Sequence, residues 1–354
     1  MPLTHLTLLV PELLWPEPED RDVLAGLDCP ALSTLMTRGR SARCPAQTPE
    51  AMLAGLFGHV DAPYAAFRRR GERGLEPSDD EACWIAADPV HLRFHQERLI
   101  LADGATLHIT REEADLLASD LNRHFSDIGC VHVGAPERWY LALAENSALR
   151  GFSAPPLSSV SGRSIERLLP EIMQERAVRG LVNEIQTVLH AHPVNQQREA
   201  RGLLPLNSLW FWGAGRLPAR REAEFDGVWS TAPLAVGLGR AAGVPAHPFP
   251  VDATALLRHA APDSRHLVLL EDLLGPARYE NGEAYRHVLA DLEERWFAPL
   301  RAALASGQLT HLRLAATTAY AALTWESRRH DQWRFWRRTQ PLAEIVRTLA
   351  KDTE

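Results

Sequence analysis

The stretch HPVNQQREARGLLPLNSLWFWGAG, from His192 to Gly215, constrains this chain more than any other. A helix starting at Pro193 keeps Asn195 and Arg198 on neighbouring positions. Gly202 permits a C-terminal stop, and Leu206 to Trp212 reads as an apolar strand. Gly213 and Gly215 then let backbone N–H groups come close to a ligand. Open α/β sheets bind ligands at such strand ends. His192, Asn195, Arg198, Trp212 and Gly213 are therefore candidate ligand-binding residues. The plainer alternative is a helix–turn–strand with a buried histidine and a solvated arginine.

The chain has 354 residues, too many for one compact core, so two domains or a core with a large insertion are expected. A net charge of −7 opposes broad nucleic-acid binding. Cys29, Cys44, Cys83 and Cys130 form no C-x-x-C pair and are expected to be reduced, mostly buried thiols. The first residues carry an apolar run without a basic leader, interrupted by Pro11, Glu12, Pro16 and Glu17. No run is long enough to span a bilayer. The expectation is a soluble, cytoplasmic protein with no membrane partner.

Leu6 to Val10 is a short strand, and Cys29 to Gly39 a helix with Gly39 as its stop. Thr48-Pro49-Glu50 begins a second helix, with Thr48 as N-cap and Pro49 at the first helical position. Unpaired N–H groups make that start a suitable place for a nucleophile or an anion, although Thr48 as a plain cap satisfies the pattern equally. The Arg-rich residues 67–81 read as a boundary. Strands at Trp84–Val90, Leu99–Leu101, Cys130–Val133 and Trp139–Leu143 surround a helix opened by the capping box Thr110–Glu113. Residues 153–164 read as a loop, and helical patterns run from Ser164 to about His190. Beyond the central stretch, strands at Phe225–Ser230, Ala246–Phe249, His266–Leu270 and Leu309–Ala315 alternate with helices at Thr231–Ala242 and Glu283–Leu304. That alternation predicts a largely parallel sheet.

In this order the motifs resemble the archaeal-type cofactor-independent phosphoglycerate mutases of the alkaline phosphatase superfamily. The resemblance rests on the His-Pro-x-Asn-x-x-Arg helix leading to Trp212-Gly213-Ala214-Gly215, and on weaker matches at Cys29–Gly39, Thr48–Gly58, Ala87–Leu92, Gly104–Leu121 and Leu267–Leu300. A degenerate bacterial branch labelled regulatory protein of the RpfE type is also similar. The resemblance implies an α/β fold, an alkaline-phosphatase-like mixed, largely parallel sheet sandwiched by helices, with an inserted α+β cap domain. Residues 1–62 and 191–354 would form the core domain and 63–190 the cap. It also implies a serine that accepts the phosphoryl group and two divalent metals that activate it.

The sequence departs from that family at the metal ligands. Where the family's first strand ends in Asp-Gly, this one ends Val10-Pro11-Glu12, leaving Glu12 as the only oxygen ligand. The serine position falls at Thr48 or Pro49. The family's later Asp and His positions fall near Gly275 and Tyr279, with Asp272 and Glu280 out of register. The final Asp-His pair falls near Thr317 and Thr318, and neutral threonines do not replace these ligands. The expectation is therefore a degenerate, non-catalytic relative with no resident metal. It would bind a small phosphorylated or carboxylated metabolite, or a protein partner, in a regulatory role. The first alternative is a metal-dependent phosphoglycerate mutase or phosphotransferase. It would use Thr48 as nucleophile and two Mn, Zn or Mg ions on Glu12, Asp272 and Glu280.

His91 and His95 share a strand face, far apart along it, and read as surface or packing residues rather than a metal pair, and the H-x-H pair His190–His192 points apart on a helix. Glu271-Asp272 marks a strand end. The run from Arg328 to Arg338 spaces Trp333 and Trp336 helically among arginines. It suits a polyanion such as single-stranded nucleic acid, the second alternative. A terminal amphipathic helix with its Trp face on the core is the plainer reading.

Overall fold

A computed structural model describes residues 3–17, 20–75, 81–95, 98–166, 168, 174–334 and 336–351. Its contacts divide the chain into two units, Met1–His59 with Arg221–Glu354, and Val60–Arg220.

The first unit is built on a seven-stranded sheet. Its strands are β1 (Leu3–Leu9), β2 (Arg40–Cys44), β8 (Gly227–Trp229), β9 (Ala246–His247), β10 (Arg265–Leu269), β11 (Leu309–Thr317) and β12 (Ala322–Arg328). The order is β2-β12-β11-β1-β10-β8-β9. β1 lies parallel between β10 and β11, and among the described strands only β12 is reversed, pairing antiparallel with β11 on one side and β2 on the other. The expected mixed, largely parallel sheet is therefore present, and β2 and β12 extend it at the edge.

Side chains alternate across a strand, and in β1 that alternation separates two environments. Leu6, Leu8 and Val10 enter a core with Leu312, Leu314, Val268 and Trp325. Helices at Pro30–Arg38, Gly282–Leu292, Ala298–Ser306 and Leu342–Lys351 contribute Leu35, Leu289, Leu300 and Val346 to it. The long helix expected over Glu283–Leu304 is continuous but passes through a π turn at Glu293–Phe297 just before Pro299. Proline has no N–H to give the preceding turn, and a wider turn accommodates it. The Glu293 carboxylate accepts from Ala31 N and Leu32 N at 2.6 and 3.0 Å, satisfying the start of the Pro30–Arg38 helix.

The second unit holds a five-stranded antiparallel sheet of β3 (Trp84–His95), β4 (Arg98–Ala102), β5 (Gly129–Ala135), β6 (Arg138–Leu143) and β7 (Ser208–Gly215). Helices Arg111–His124 and Arg176–Ala191 pack on it through Leu117, Leu121, Leu181 and Ile185. β7 pairs with β3 from Trp84–Gly215 to Val90–Ser208. The central stretch therefore belongs to this inserted unit, not to the core domain where residues 191–220 were expected. Strand periodicity records which face is buried and says nothing about the partner strand.

Other expectations change locally. The 67–81 boundary begins as a helix, Tyr64–Gly71, with Arg68 and Arg69 buried, while residues 76–80 lie outside the described set. Ser164 forms an isolated bridge with Ile100 in place of a helix start. The 153–164 loop contains one helical turn, Leu157–Val160. All four cysteines are free, but only Cys29 is buried, and Cys44 and Cys130 are exposed. No helix among the described residues is long and apolar enough to cross a membrane.

Candidate functional site

In the central stretch every ligand-grade side chain is committed to the protein. His192 is the N-cap of the Pro193–Ala200 helix; its Nδ1 accepts from Val194 N at 3.1 Å, and its Nε2 lies 3.1 Å from the Asp120 carboxylate. Asn195 donates to Leu189 O and Leu206 O and accepts from Leu206 N, at 2.7 to 2.8 Å. Asn207 treats Leu92 the same way, accepting from its N and donating to its O. Both amides thus complete ladders that the backbone leaves open. Arg198 is 1% exposed. It donates from Nε to Leu204 O at 2.9 Å, from one terminal nitrogen to Glu113 at 2.7 Å and from the other to Leu107 O. Glu113 also closes the capping box with Thr110, so Arg198 locks the start of the Arg111–His124 helix.

The strand end is filled in the same way. Trp212 Nε1 donates to Asp88 at 2.8 Å. Gly213, at φ +65°, lies where a Cβ would come within 2.9 Å of Tyr64 Cβ and 3.1 Å of Ala65 N. Its glycine serves close helix packing. The expectation that His192, Asn195, Arg198, Trp212 and Gly213 form an open wall for an anion is therefore corrected: a guanidinium that satisfies internal carbonyls and a carboxylate stabilises the fold.

The same unit buries a second network that sequence reading missed. Asp88, fully buried, accepts both terminal nitrogens of Arg68 at 2.8 and 2.6 Å, with Trp139 N and Trp212 Nε1 completing its shell. The Arg68 guanidinium lies 4.8 and 4.9 Å from the Tyr140 and Trp212 rings. Tyr140 in turn donates to Glu72, which also holds Arg138. His91 Nδ1 meets Pro205 O at 2.9 Å, as a packing histidine does, whereas the His95 side chain lies outside the described residues.

The strand ends of the first unit are where the resemblance implies metals. Glu12 N donates to Thr317 O at 2.9 Å, so these two residues do meet. Glu12 has φ +56°, a left-handed conformation that costs a residue with a Cβ about 1 kcal/mol. Tyr285, its hydroxyl pKa pushed far up by burial, anchors this turn by donating to Glu12 O and Leu13 O. Thr318 Oγ1 is closed into a turn with Ala321. Thr317 Oγ1 is buried with no hydrogen-bond partner among the described residues. Asp272 and Glu280 are exposed. Thr48 accepts from Ala51 N at 3.1 Å as an N-cap. Among the described residues no group of three His, Cys, Asp or Glu side chains is placed to hold a metal. Two dications need several anionic or imidazole donors, so this residue set does not fit them.

The other face of the same sheet is different. Where Leu6 and Leu8 face the core, His5 and Thr7 face the opposite way, and His311, Arg313, Thr324 and Glu326 continue that face across β11 and β12. The helix Pro49–Leu56 and residues 222–225 border it, enclosing a cavity of about 700 Å³. Thr7, Arg313 and Glu326 stand in one cross-strand row, and Arg265, His5 and His311 in the next. His5 and His311 meet through their Nδ1 atoms at 2.9 Å, and His311 Nε2 is 3.3 Å from Glu326. Burial, reinforced by His311, lowers the His5 pKa to about 4, and burial also lowers that of His311. The strand alternation His-Leu-Thr-Leu and His-Leu-Arg-Leu carried this signal, but only the apolar half was read.

A pH dependence follows. The unfolded chain protonates His5 near its ordinary pKa of about 6.5, while the folded chain resists until about 4. The neutral pair's contribution is complete above the higher value and is lost as pH falls through that window. Urea midpoints measured from pH 7 to 4 are expected to fall less steeply in His5→Asn than in the wild type. Identical slopes would refute this role for His5.

At the C-terminal run, Trp333 and Trp336 are 71% and 68% exposed, correcting the core-facing alternative. The segment Arg329–Trp333 is a 3-10 turn, and Phe335 lies outside the described residues. Arg334 and Arg337 donate to Arg38 O, Thr37 O and Gly39 O at the end of the Pro30–Arg38 helix.

The chain resembles 2,3-bisphosphoglycerate-independent phosphoglycerate mutases. It is 25% identical over 240 residues to that of Methanosarcina mazei, a match covering 64% of this chain and 59% of the relative. It is 30% identical over 169 residues to that of Methanosarcina barkeri, covering 45% and 42%. The chain thus spans about three fifths of the length of the first of these curated relatives. Among solved structures, the PH0037 protein from Pyrococcus horikoshii superposes with a TM-score of 0.57 at 14% identity, covering 100% of this chain and 99% of that one. No family model matches. The fold is alkaline-phosphatase-like, a mixed sheet flanked by helices with an inserted α+β unit.

Proposed function

We propose that this chain is a divergent phosphoglycerate-mutase-like protein that binds a small phosphorylated or carboxylated ligand in a regulatory role and does not turn it over. One observation carries the proposal: where the family's metals would sit, Glu12 N donates to Thr317 O, with Thr318 next in sequence and Asp272 and Glu280 exposed. Phosphoryl transfer between oxygens depends on neutralising charge in the transition state, and these residues offer one carboxylate and two hydroxyls.

The test is a mutase and phosphatase assay with Mn²⁺, Zn²⁺ or Mg²⁺, paired with elemental analysis of the purified chain. The expected result is no turnover above the protein-free rate and substoichiometric metal. Reproducible turnover that disappears in Thr48→Ala would establish the catalytic alternative instead. Polyanion binding through the C-terminal run gains from the exposed Trp333 and Trp336, but Arg334 and Arg337 already serve a helix end.

A further inference from the structure

We propose that the polar face of the first unit's sheet is the binding site for the phosphate group of a small phosphorylated metabolite, with Arg313 as its principal contact. The proposal rests on the ligand-binding reading above and gives it a location, on the sheet's face and not at the strand ends. Arg313 stands in the middle of β11, directly across from Glu326 on β12. In most sheets such a pair would close on itself. Here the Glu326 carboxylate is 3.3 Å from His311 Nε2, and Arg313 Nε is buried with no hydrogen-bond partner among the described residues. A buried donor without an acceptor is unfavourable, and an anion in the adjoining cavity would give this half-buried guanidinium one.

The surroundings suit a phosphate. Thr7 stands beside Arg313 in the same row and Thr324 follows on β12, placing two hydroxyl donors on the cavity wall. Arg265, half exposed and 3.8 Å from Glu224, adds a second guanidinium. A planar guanidinium presents paired donors that match phosphate oxygens. The cavity's 700 Å³ is ample for a metabolite of a few carbons. The carboxylates Glu326, Glu222 and Glu224 on the same lining favour a ligand that also offers hydroxyl donors, and oppose a polyanion.

Isothermal titration of the full chain with inorganic phosphate, 3-phosphoglycerate and glycerate tests this. Both phosphate-bearing probes are expected to bind the wild type, and glycerate, which has only a carboxylate, to bind more weakly. Arg313→Gln is expected to weaken 3-phosphoglycerate at least about tenfold, the usual effect of losing a charge-assisted hydrogen bond. Arg313→Lys is expected to recover part of that loss. Glu326→Gln is expected to tighten binding about 2- to 5-fold by removing a like charge. Opposite signs from two facing residues are not produced by general damage to the fold, so a poorly folded Arg313→Gln leaves the Glu326 arm decisive. Unchanged affinity in both Arg313→Gln and Glu326→Gln, or no binding of either phosphate-bearing probe to the wild type, overturns the site. Turnover of 3-phosphoglycerate defeats the non-catalytic reading instead and leaves the affinity comparison intact.

Discussion

Asp88→Ala is expected to cost about 3–5 kcal/mol of stability, the usual effect of stranding one half of a buried ion pair. Asp88 is fully buried and its two oxygens receive Arg68, Trp139 N and Trp212 Nε1. Alanine leaves a buried guanidinium and two N–H donors facing a hole. Burial by itself would lower the Arg68 pKa, and Asp88 more than reverses that, so the cation stays charged and is left without its partner. In a unit of this size, such a loss corresponds to a melting temperature lower by about 6–20 °C. Asp88→Asn, which keeps an acceptor for Trp212, should lose less. The double change Arg68→Met with Asp88→Leu should recover much of the loss, because replacing both charges by apolar groups is often neutral. Urea unfolding of the full chain measures all three. A loss below about 1 kcal/mol in Asp88→Ala, the level of a surface pair, would show that this network contributes little.

Arg198→Ala is the second large effect, and it separates two roles for one residue. As a structural clamp, Arg198 satisfies Leu204 O, Leu107 O and Glu113. Its removal orphans two carbonyls and frees a carboxylate that is only 15% exposed. The expected cost is about 3 kcal/mol, combining a broken buried pair with unsatisfied carbonyls. The affinity of the folded fraction for 3-phosphoglycerate should be unchanged. A ligand contact would give the reverse: near-normal stability and lost affinity. Thermal unfolding and titration on the same preparation decide between them, and the reverse pattern would restore the central stretch as the binding wall.

Local grammar in this chain was legible, and partnership was not. Thr48-Pro49 and Thr110–Glu113 marked helix starts because capping depends on residues within one turn. The helix expected over Thr231–Ala242 does end there, at Gly243 in the left-handed conformation. The Leu206–Trp212 strand was visible as an apolar run, yet its pairing with β3 depends on residues more than a hundred positions earlier. The Arg-rich residues 67–81 read as a boundary because the carboxylate that makes burial of Arg68 tolerable, Asp88, lies twenty residues further along the chain. The candidate site suffered most from this. Side chains suited to a ligand are also suited to closing a backbone ladder, and Asn195, Asn207 and Arg198 do the latter. The polar sheet face was written in the alternation at His5–Leu8 and His311–Leu314. Which residues stand beside one another on it depends on the pairing of β1, β11 and β12, which places Arg313 between Thr7 and Glu326.

The position of β1 between β10 and β11 has a consequence for the order of assembly. Its hydrogen-bonding neighbours, Arg265–Leu269 and Leu309–Ala315, are the last parts of the unit's parallel sheet to leave the ribosome. Closing so long a loop before any contact rewards it is slow. Synthesis therefore delivers the whole contiguous second unit while the first strand still waits for both neighbours, an interval in which its apolar residues Leu6, Leu8 and Leu9 are a substrate for chaperones.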